Sequence, residues 1–240
     1  MDGGSTMESR AFIPQSDIFG QLPRHELVPE RTALLVIDMQ YYDAHRLWGI
    51  GRAAREQGRE REYDGYFKRL EDTVVPNLRL VIDACRAAGV RVIYVRIMSR
   101  APDGGDISRQ HRDLGILVRS GSREAEILDE IAPRDGDLIF SKTAGGVFNS
   151  TEIDQVLRNM GIDSLIVAGV VTNGCVETAV RDASDRSYKV FVVEDACAAL
   201  TEKEHEHAIW LFGKWYANVL GTSELSDRFA QGRVSVTTRK

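Results

Sequence analysis

Ala33-Leu-Leu-Val-Ile37 is apolar at every position and runs directly into an acid, Asp38. A strand with one face in water alternates apolar and polar residues. A short run without alternation belongs to a strand covered on both faces, the usual condition of a parallel sheet. Further strand-length runs occur at Val90–Ile97, Asp137–Ser141, Leu165–Gly169 and Val190–Val193, the last leading into Glu194-Asp195. Helical periodicity fills the intervals. The spacing predicts a helix from about Asp72 to Ala88, with Val74, Val75, Leu78, Val81, Ile82 and Cys85 on its broad face and Gly89 as its stop. Ile153, Val156, Leu157 and Met160 define a helix over Thr151–Met160, and Val176, Ala179, Val180 and Ala183 one over Gly174–Arg186. A short helix is expected at Glu124–Ile131, another helix at Glu202–Tyr216, and a short sixth strand at Ala217–Gly221. Strands and helices that alternate in this way predict an α/β fold, a doubly wound parallel sheet with right-handed crossovers.

Residues 1–30 read as an irregular N-terminal arm and 31–240 as a single domain carrying two charged insertions, near 43–71 and 99–122. The first mixes Arg46, Arg52, Arg55, Arg59, Arg61 and Arg69 with acids, and reads as a solvated lid or an oligomer contact. The second reads as a charged, loop-rich connection. A net charge of −5 argues against a nucleic-acid partner. The longest apolar run, Leu165–Val171, is strand-sized, so no membrane span is expected. The start lacks the basic-then-apolar pattern of a secretory signal. Three cysteines, Cys85, Cys175 and Cys197, form no closely spaced pair, which points to reduced thiols and a cytoplasmic protein.

In a parallel sheet the loops after the strand C-termini share one edge, and ligands bind there where the strand order reverses. Asp38, Lys142 and Cys175 follow directly on three such strands. Cys175 lies in Ala168-Gly-Val-Val-Thr-Asn-Gly-Cys-Val176, a strand, a sharp turn and a helix start. A helix N-terminus favours a thiolate, and its N–H groups can receive an oxyanion. By position alone, that reading and a buried space-filling cysteine stand even. An ammonium at Lys142 would lower the thiol pKa, and Asp38 could accept its proton. None of His25, His45, His111, His205 and His207 stands at a comparable strand end, which makes a Cys–His dyad the poorer reading. No metal site or cofactor is expected. His205 and His207 point to different sides of a helix, Asp43-Ala44-His45 lacks a third ligand and reads as a solvated polar loop, and Gly145-Gly146 is not a phosphate loop.

Leu35-Val-Ile-Asp-Met-Gln40, Lys142 with Phe148-Asn-Ser-Thr151, and Gly169-Val-Val-Thr-Asn-Gly-Cys-Val176 together resemble the isochorismatase-like cysteine hydrolases, over about Thr32 to Gly221. The resemblance implies a three-layer α-β-α sandwich around a six-stranded parallel sheet and assembly into homo-oligomers, dimers or tetramers. It also implies an Asp38–Lys142–Cys175 triad, and a cis peptide at Val170–Val171 that helps aim the N–H groups of Val171 and Cys175 at an oxyanion. Members that hydrolyse the isochorismate vinyl ether lack the cysteine, so Cys175 tilts the expectation to a linear C–N bond in a small amide, carbamoyl or ureido compound, cleaved through a thioester. The N-carbamoylsarcosine amidases and ureidoacrylate amidohydrolases are such members, and lactam hydrolases also remain open. Vinyl-ether hydrolysis using Asp38, and a non-catalytic interaction module on the same fold, are the alternatives. Gln40, Tyr41, Phe148 and Thr172 are candidate substrate-binding residues.

Overall fold

The computed structural model describes residues 21–237, with side chains to residue 230. The first twenty residues of the expected arm lie outside that range. Residues 21–28 have no regular structure and Pro29–Arg31 form a 3-10 turn.

Six strands form one sheet: β1 (Thr32–Ile37), β2 (Arg91–Ile97), β3 (Leu138–Lys142), β4 (Ser164–Val170), β5 (Lys189–Ala198) and β6 (Asn218–Leu220). Their order is β3-β2-β1-β4-β5-β6, and every neighbouring pair is parallel. β1 and β4 are buried at every residue, as their unbroken apolarity requires, whereas β3 lies at an edge and leaves Leu138 and Ile139 exposed. The helices are α1 (Tyr41–Ala44), α2 (Gly49–Glu56), α3 (Glu60–Arg69), α4 (Val75–Ala88), α5 (Arg109–Asp113), α6 (Val147–Ser150), α7 (Ile153–Asn159), α8 (Glu177–Asp185), α9 (Glu202–Trp215) and α10 (Thr222–Thr237). α4 covers β2 and β5 with α10 beside it, and α8 covers β4 and β5 with α6 and α9 beside it, giving helices on both faces of the sheet.

β1 and β4 approach closely at Ile37 and Gly169, which are register partners. A Cβ on Gly169 would lie 2.1 Å from the Ile37 carbonyl oxygen, and its φ of 120° is one that side-chain-bearing residues rarely adopt. This junction lies where the strand order reverses, so the sheet opens its crevice beside the ends of β1 and β4.

Several local expectations are corrected. The first insertion, read as a solvated lid or an oligomer contact, is helical: α2 and α3 form a hairpin, and α3 runs through a π turn at Leu70–Val74 into α4, so helix begins at Glu60 and not near Asp72. Its arginines pair on the surface, Arg46 with Asp64 and Glu71, Arg55 with Glu60 and Arg59 with Glu62, while Tyr66, Phe67 and Leu70 enter the core. The helix expected at Glu124–Ile131 is two 3-10 turns, Arg123–Ala125 and Asp129–Ile131. The chain between them is extended because it pairs with the segment after β1: Gln40 bridges Ile127, Tyr41 N–H donates to Glu126 O and Leu128 N–H to Met39 O. β5 continues through Glu194-Asp195 to Ala198.

Candidate active site

Asp38 leaves β1 with a left-handed φ of 51°. Aspartate tolerates this region better than most residues. The turn is fixed by a hydrogen bond from its N–H to Val95 O at 2.8 Å. Lys142 ends β3, two strands away from β1, so only a long side chain can bridge the gap. Its Nζ lies 2.9 Å from Asp38 Oδ2, 3.3 Å from Cys175 Sγ and 3.2 Å from Ala144 O. Lys142 is 0 % exposed and Asp38 1 %, an ion pair withdrawn from water, while Cys175 is half-buried and reachable. The structure thus brings together the three strand-end residues that the sequence singles out.

Cys175 directly follows a backbone kink at Gly174 and leads into α8. Thr172–Val176 form a π turn in which Gly174 is non-helical, and α8 starts at Glu177. The Val170–Val171 peptide bond entering this turn is cis. Opposing influences act on the sulfur. Burial pushes the Cys175 pKa well up and the Asp38 carboxylate pushes it further, and the Lys142 ammonium offsets only part of this. Burial alone would lower the Lys142 pKa, but Asp38 and Cys175 raise it above the ordinary lysine value, so the lysine stays charged. The Cys175 sulfur and the buried Asp38 carboxylate thus share one ammonium, that of Lys142. Cys85 and Cys197 are fully buried, with pKa values pushed up by burial to about 12.

The four candidate substrate-binding residues are engaged elsewhere. Gln40 is buried and its amide is fully used: Nε2 donates to Ile97 O and Glu124 O, and Oε1 accepts from Ile97 N. It ties the end of β1 to the end of β2. Tyr41 hydrogen-bonds Arg123, whose guanidinium also sits 3.8 Å over its ring, and it stacks on His45. Phe148 packs against Tyr188 under the Arg186 guanidinium. Thr172 is 0 % exposed, and its hydroxyl meets His205 Nδ1 at 2.9 Å.

That last bond exposes residues that sequence reasoning passed over. His205, on α9, is buried and receives Arg69 Nη2 on Nε2 at 2.8 Å, so Nδ1 carries the proton and donates to Thr172. Burial first, then the Arg69 charge, lowers its pKa to about 4, keeping the ring neutral. Arg69 also bonds Cys197 O and Glu202. The chain Arg69–His205–Thr172 thus anchors the turn that carries Cys175 to α3 and α9. Asp43 and His111, read from the sequence as polar-loop residues, also turn inward. Asp43 Oδ2 and His111 Nδ1 are both buried without hydrogen-bond partners. The arginine at position 69 and the histidine spacing in α9 gave no distinguishing pattern, because the Arg69 contacts span more than a hundred residues and the Thr172–His205 contact more than thirty. Among the described residues, no three His, Cys, Asp or Glu side chains gather as a metal-ligand set.

The isochorismatase domain family matches residues 32–224. The chain belongs to this family. It is 32% identical over 216 residues to the ureidoacrylate amidohydrolase RutB of Pantoea ananatis, an alignment covering 83% of this chain and 82% of that one. A cysteine hydrolase from Pseudomonas syringae pv. phaseolicola superposes with a TM-score of 0.72 at 28% identity, covering 88% of this chain and 98% of the other. N-carbamoylsarcosine amidase from Thermoplasma acidophilum superposes with a TM-score of 0.58 at 29% identity, covering 80% of this chain and 96% of the other. The six-stranded parallel sheet between two helical layers is the fold these family members share with it.

Proposed function

We propose that this member of the isochorismatase family is an amidohydrolase that cleaves a non-peptide C–N bond of a small amide, carbamoyl or ureido compound through a thioester on Cys175. The observation that carries the reading is the buried Lys142 ammonium in simultaneous contact with the Asp38 carboxylate and the Cys175 sulfur. Similarity to a ureidoacrylate amidohydrolase and to an N-carbamoylsarcosine amidase supports the bond type.

Each group has a role set by its surroundings. Asp38 takes the thiol proton, which costs little once a substrate carbonyl is in place, because the negative charge moves from carboxylate to sulfur beside the same ammonium. The thiolate attacks the carbonyl carbon, and the N–H groups of Val171 and Cys175 receive the oxyanion. Collapse of the tetrahedral species breaks the C–N bond, and Asp38 returns its proton to the departing nitrogen. Water, deprotonated by Asp38, then attacks the thioester, releasing the acid and restoring the thiol. Lys142 holds Asp38 in place and keeps the negative charge stabilised throughout.

The test is ammonia release from a panel of ureido acids, N-carbamoyl amino acids, nicotinamide and lactams, with acid-quenched samples weighed by mass spectrometry. Turnover of a ureido or carbamoyl compound, an acyl adduct on Cys175 and loss of both in Cys175→Ala are expected. A fully active Cys175→Ala would overturn the nucleophile and return vinyl-ether-type acid chemistry at Asp38 to consideration.

A further inference from the structure

Buried polar atoms in native proteins are almost always paired, so each exception asks for an account. Among the described residues four such side-chain atoms have neither a hydrogen bond nor an ion pair, Asp38 Oδ1, Asp43 Oδ2, His111 Nδ1 and Asp182 Oδ2, while Asp38 Oδ2 is met only by the Lys142 ammonium. Asp182 belongs to α8, where its other oxygen binds Arg186. Asp38 is used by the chemistry above. Asp43 and His111 have no role yet, and both lie within electrostatic reach of the Asp38–Lys142 pair.

His111 reaches the site through the second insertion, which folds over the sheet edge instead of standing off in solvent. Ser108 N–H donates to Thr143 O at 2.8 Å, clipping the start of α5 to the residue after Lys142. His111 O accepts Ile116 N–H at 2.8 Å, and Ile116 packs with Met98, Tyr42 and Cys175 around Ile97, Val118 and Ala125. His111 is only 4 % exposed. Asp43 arrives from the other side of the sequence, next to Tyr42 of that same apolar cluster, in a helix that begins three residues beyond Asp38. Tyr66, buried beneath it, donates its hydroxyl to Asp43 O.

Each group is pushed toward its neutral form. Burial, reinforced by Asp38, holds Asp43 well above the ordinary carboxyl range, against a smaller pull from Lys142. Burial and then the Lys142 charge hold His111 below the ordinary imidazole value. A neutral carboxyl offers a carbonyl oxygen and a neutral imidazole offers one bare nitrogen, so the pair presents acceptors without disturbing the Asp38–Lys142 charge balance.

We propose that Asp43 and His111 form the subsite that accepts the N–H groups of the scissile amide, so that this chain selects an unsubstituted –CO–NH2 terminus, as in a primary amide or a terminal ureido group, over N,N-disubstituted amides. This rests on the cysteine-nucleophile reading above and narrows its substrate class. The nitrogen held there is the one that leaves, and it departs as ammonia with the proton from Asp38.

The experiment alkylates Cys175 with iodoacetamide and with N,N-dimethyl-2-iodoacetamide, two neutral reagents differing in the N–H groups. Rates are read by mass spectrometry and divided by those of glutathione. The native chain should favour iodoacetamide by about tenfold beyond glutathione, as one hydrogen bond supplies. Asp43→Leu and His111→Phe should each lose most of that preference, while Asp43→Asn and His111→Asn, which keep a neutral acceptor, should retain it. A native preference equal to that of glutathione overturns the subsite, as does its survival in both Asp43→Leu and His111→Phe. Failure of Cys175 to react with either reagent overturns subsite and nucleophile together. The readout needs no turnover: preference without amide hydrolysis sinks the amidase reading alone, and hydrolysis without preference sinks the subsite alone.

Discussion

Lys142→Met removes an ammonium that Asp38, Cys175 and Ala144 O share, and the consequences can be worked from their distances. With the Nζ gone, Asp38 keeps a carboxylate that is 1 % exposed and has lost the cation 2.9 Å away. Stranding one partner of a buried pair costs about 3–5 kcal/mol, a large part of the roughly 5–15 kcal/mol that holds a domain folded. Protonation of the stranded carboxylate relieves the cost, and the unfolded chain binds that proton only near the ordinary aspartate range. Relative to the native chain, the deficit should therefore be largest at neutral pH and shrink as pH falls toward about 4. The assay is urea unfolding of the native chain, Lys142→Met and the double variant Asp38→Asn/Lys142→Met across that range. The double variant has no buried charge left and should recover most of the loss at neutral pH, since uncharged replacements for buried pairs are often neutral or stabilising. Amide turnover should be lost in both. A double variant no more stable than Lys142→Met would refute the reasoning, because the penalty would then come from packing around the lysine stem rather than from an orphaned charge.

Two further outcomes are expected. Gly169→Ala places a Cβ 2.1 Å from the Ile37 carbonyl oxygen at a φ of 120°, so urea unfolding should show a loss of about 3 kcal/mol or more, whereas Gly58→Ala, at a φ of 67° in open space, should lose about 1 kcal/mol. His205, with its pKa lowered to about 4, contributes stability that is full above the ordinary histidine value of about 6.5 and is lost as pH falls toward 4, amounting to at most about 3 kcal/mol; in His205→Gln the acid slope of the unfolding free energy should be shallower over that interval, and an unchanged slope would show that the Arg69–His205–Thr172 chain does not hold a neutral ring.

What the chain announces locally is what recurs with a short period. The unbroken apolarity of Ala33–Ile37 and Leu165–Gly169 is enough to demand a two-sided parallel sheet, and both strands are buried throughout. Periodicity fails where hydrogen bonds go to distant partners. Glu124–Ile131 has a helical composition, yet its backbone pairs with Met39, Gln40 and Tyr41, some ninety residues upstream. The first insertion fails in the opposite sense: its surface arginines dominate the composition, and the three residues that anchor it, Tyr66, Phe67 and Leu70, are too few to lift the segment out of a solvated reading.

The same division separates the parts of the site. Asp38, Lys142 and Cys175 are legible because parallel strands convert three sequence positions into one spatial edge, a rule that needs no knowledge of side-chain paths. A helix N-terminus favours a thiolate at Cys175, while burial and the Asp38 charge act in the opposite direction, and only the folded surroundings display those two influences. Asp43 and His111 stand on short helices inside charged stretches, and composition there averages over exposed neighbours. Their distinction is the lack of a partner for a buried atom, which is a property of everything around them. A nucleophile can be found from where its strand ends, but the groups that choose what it attacks are found by asking which buried atoms the protein leaves for something else to satisfy.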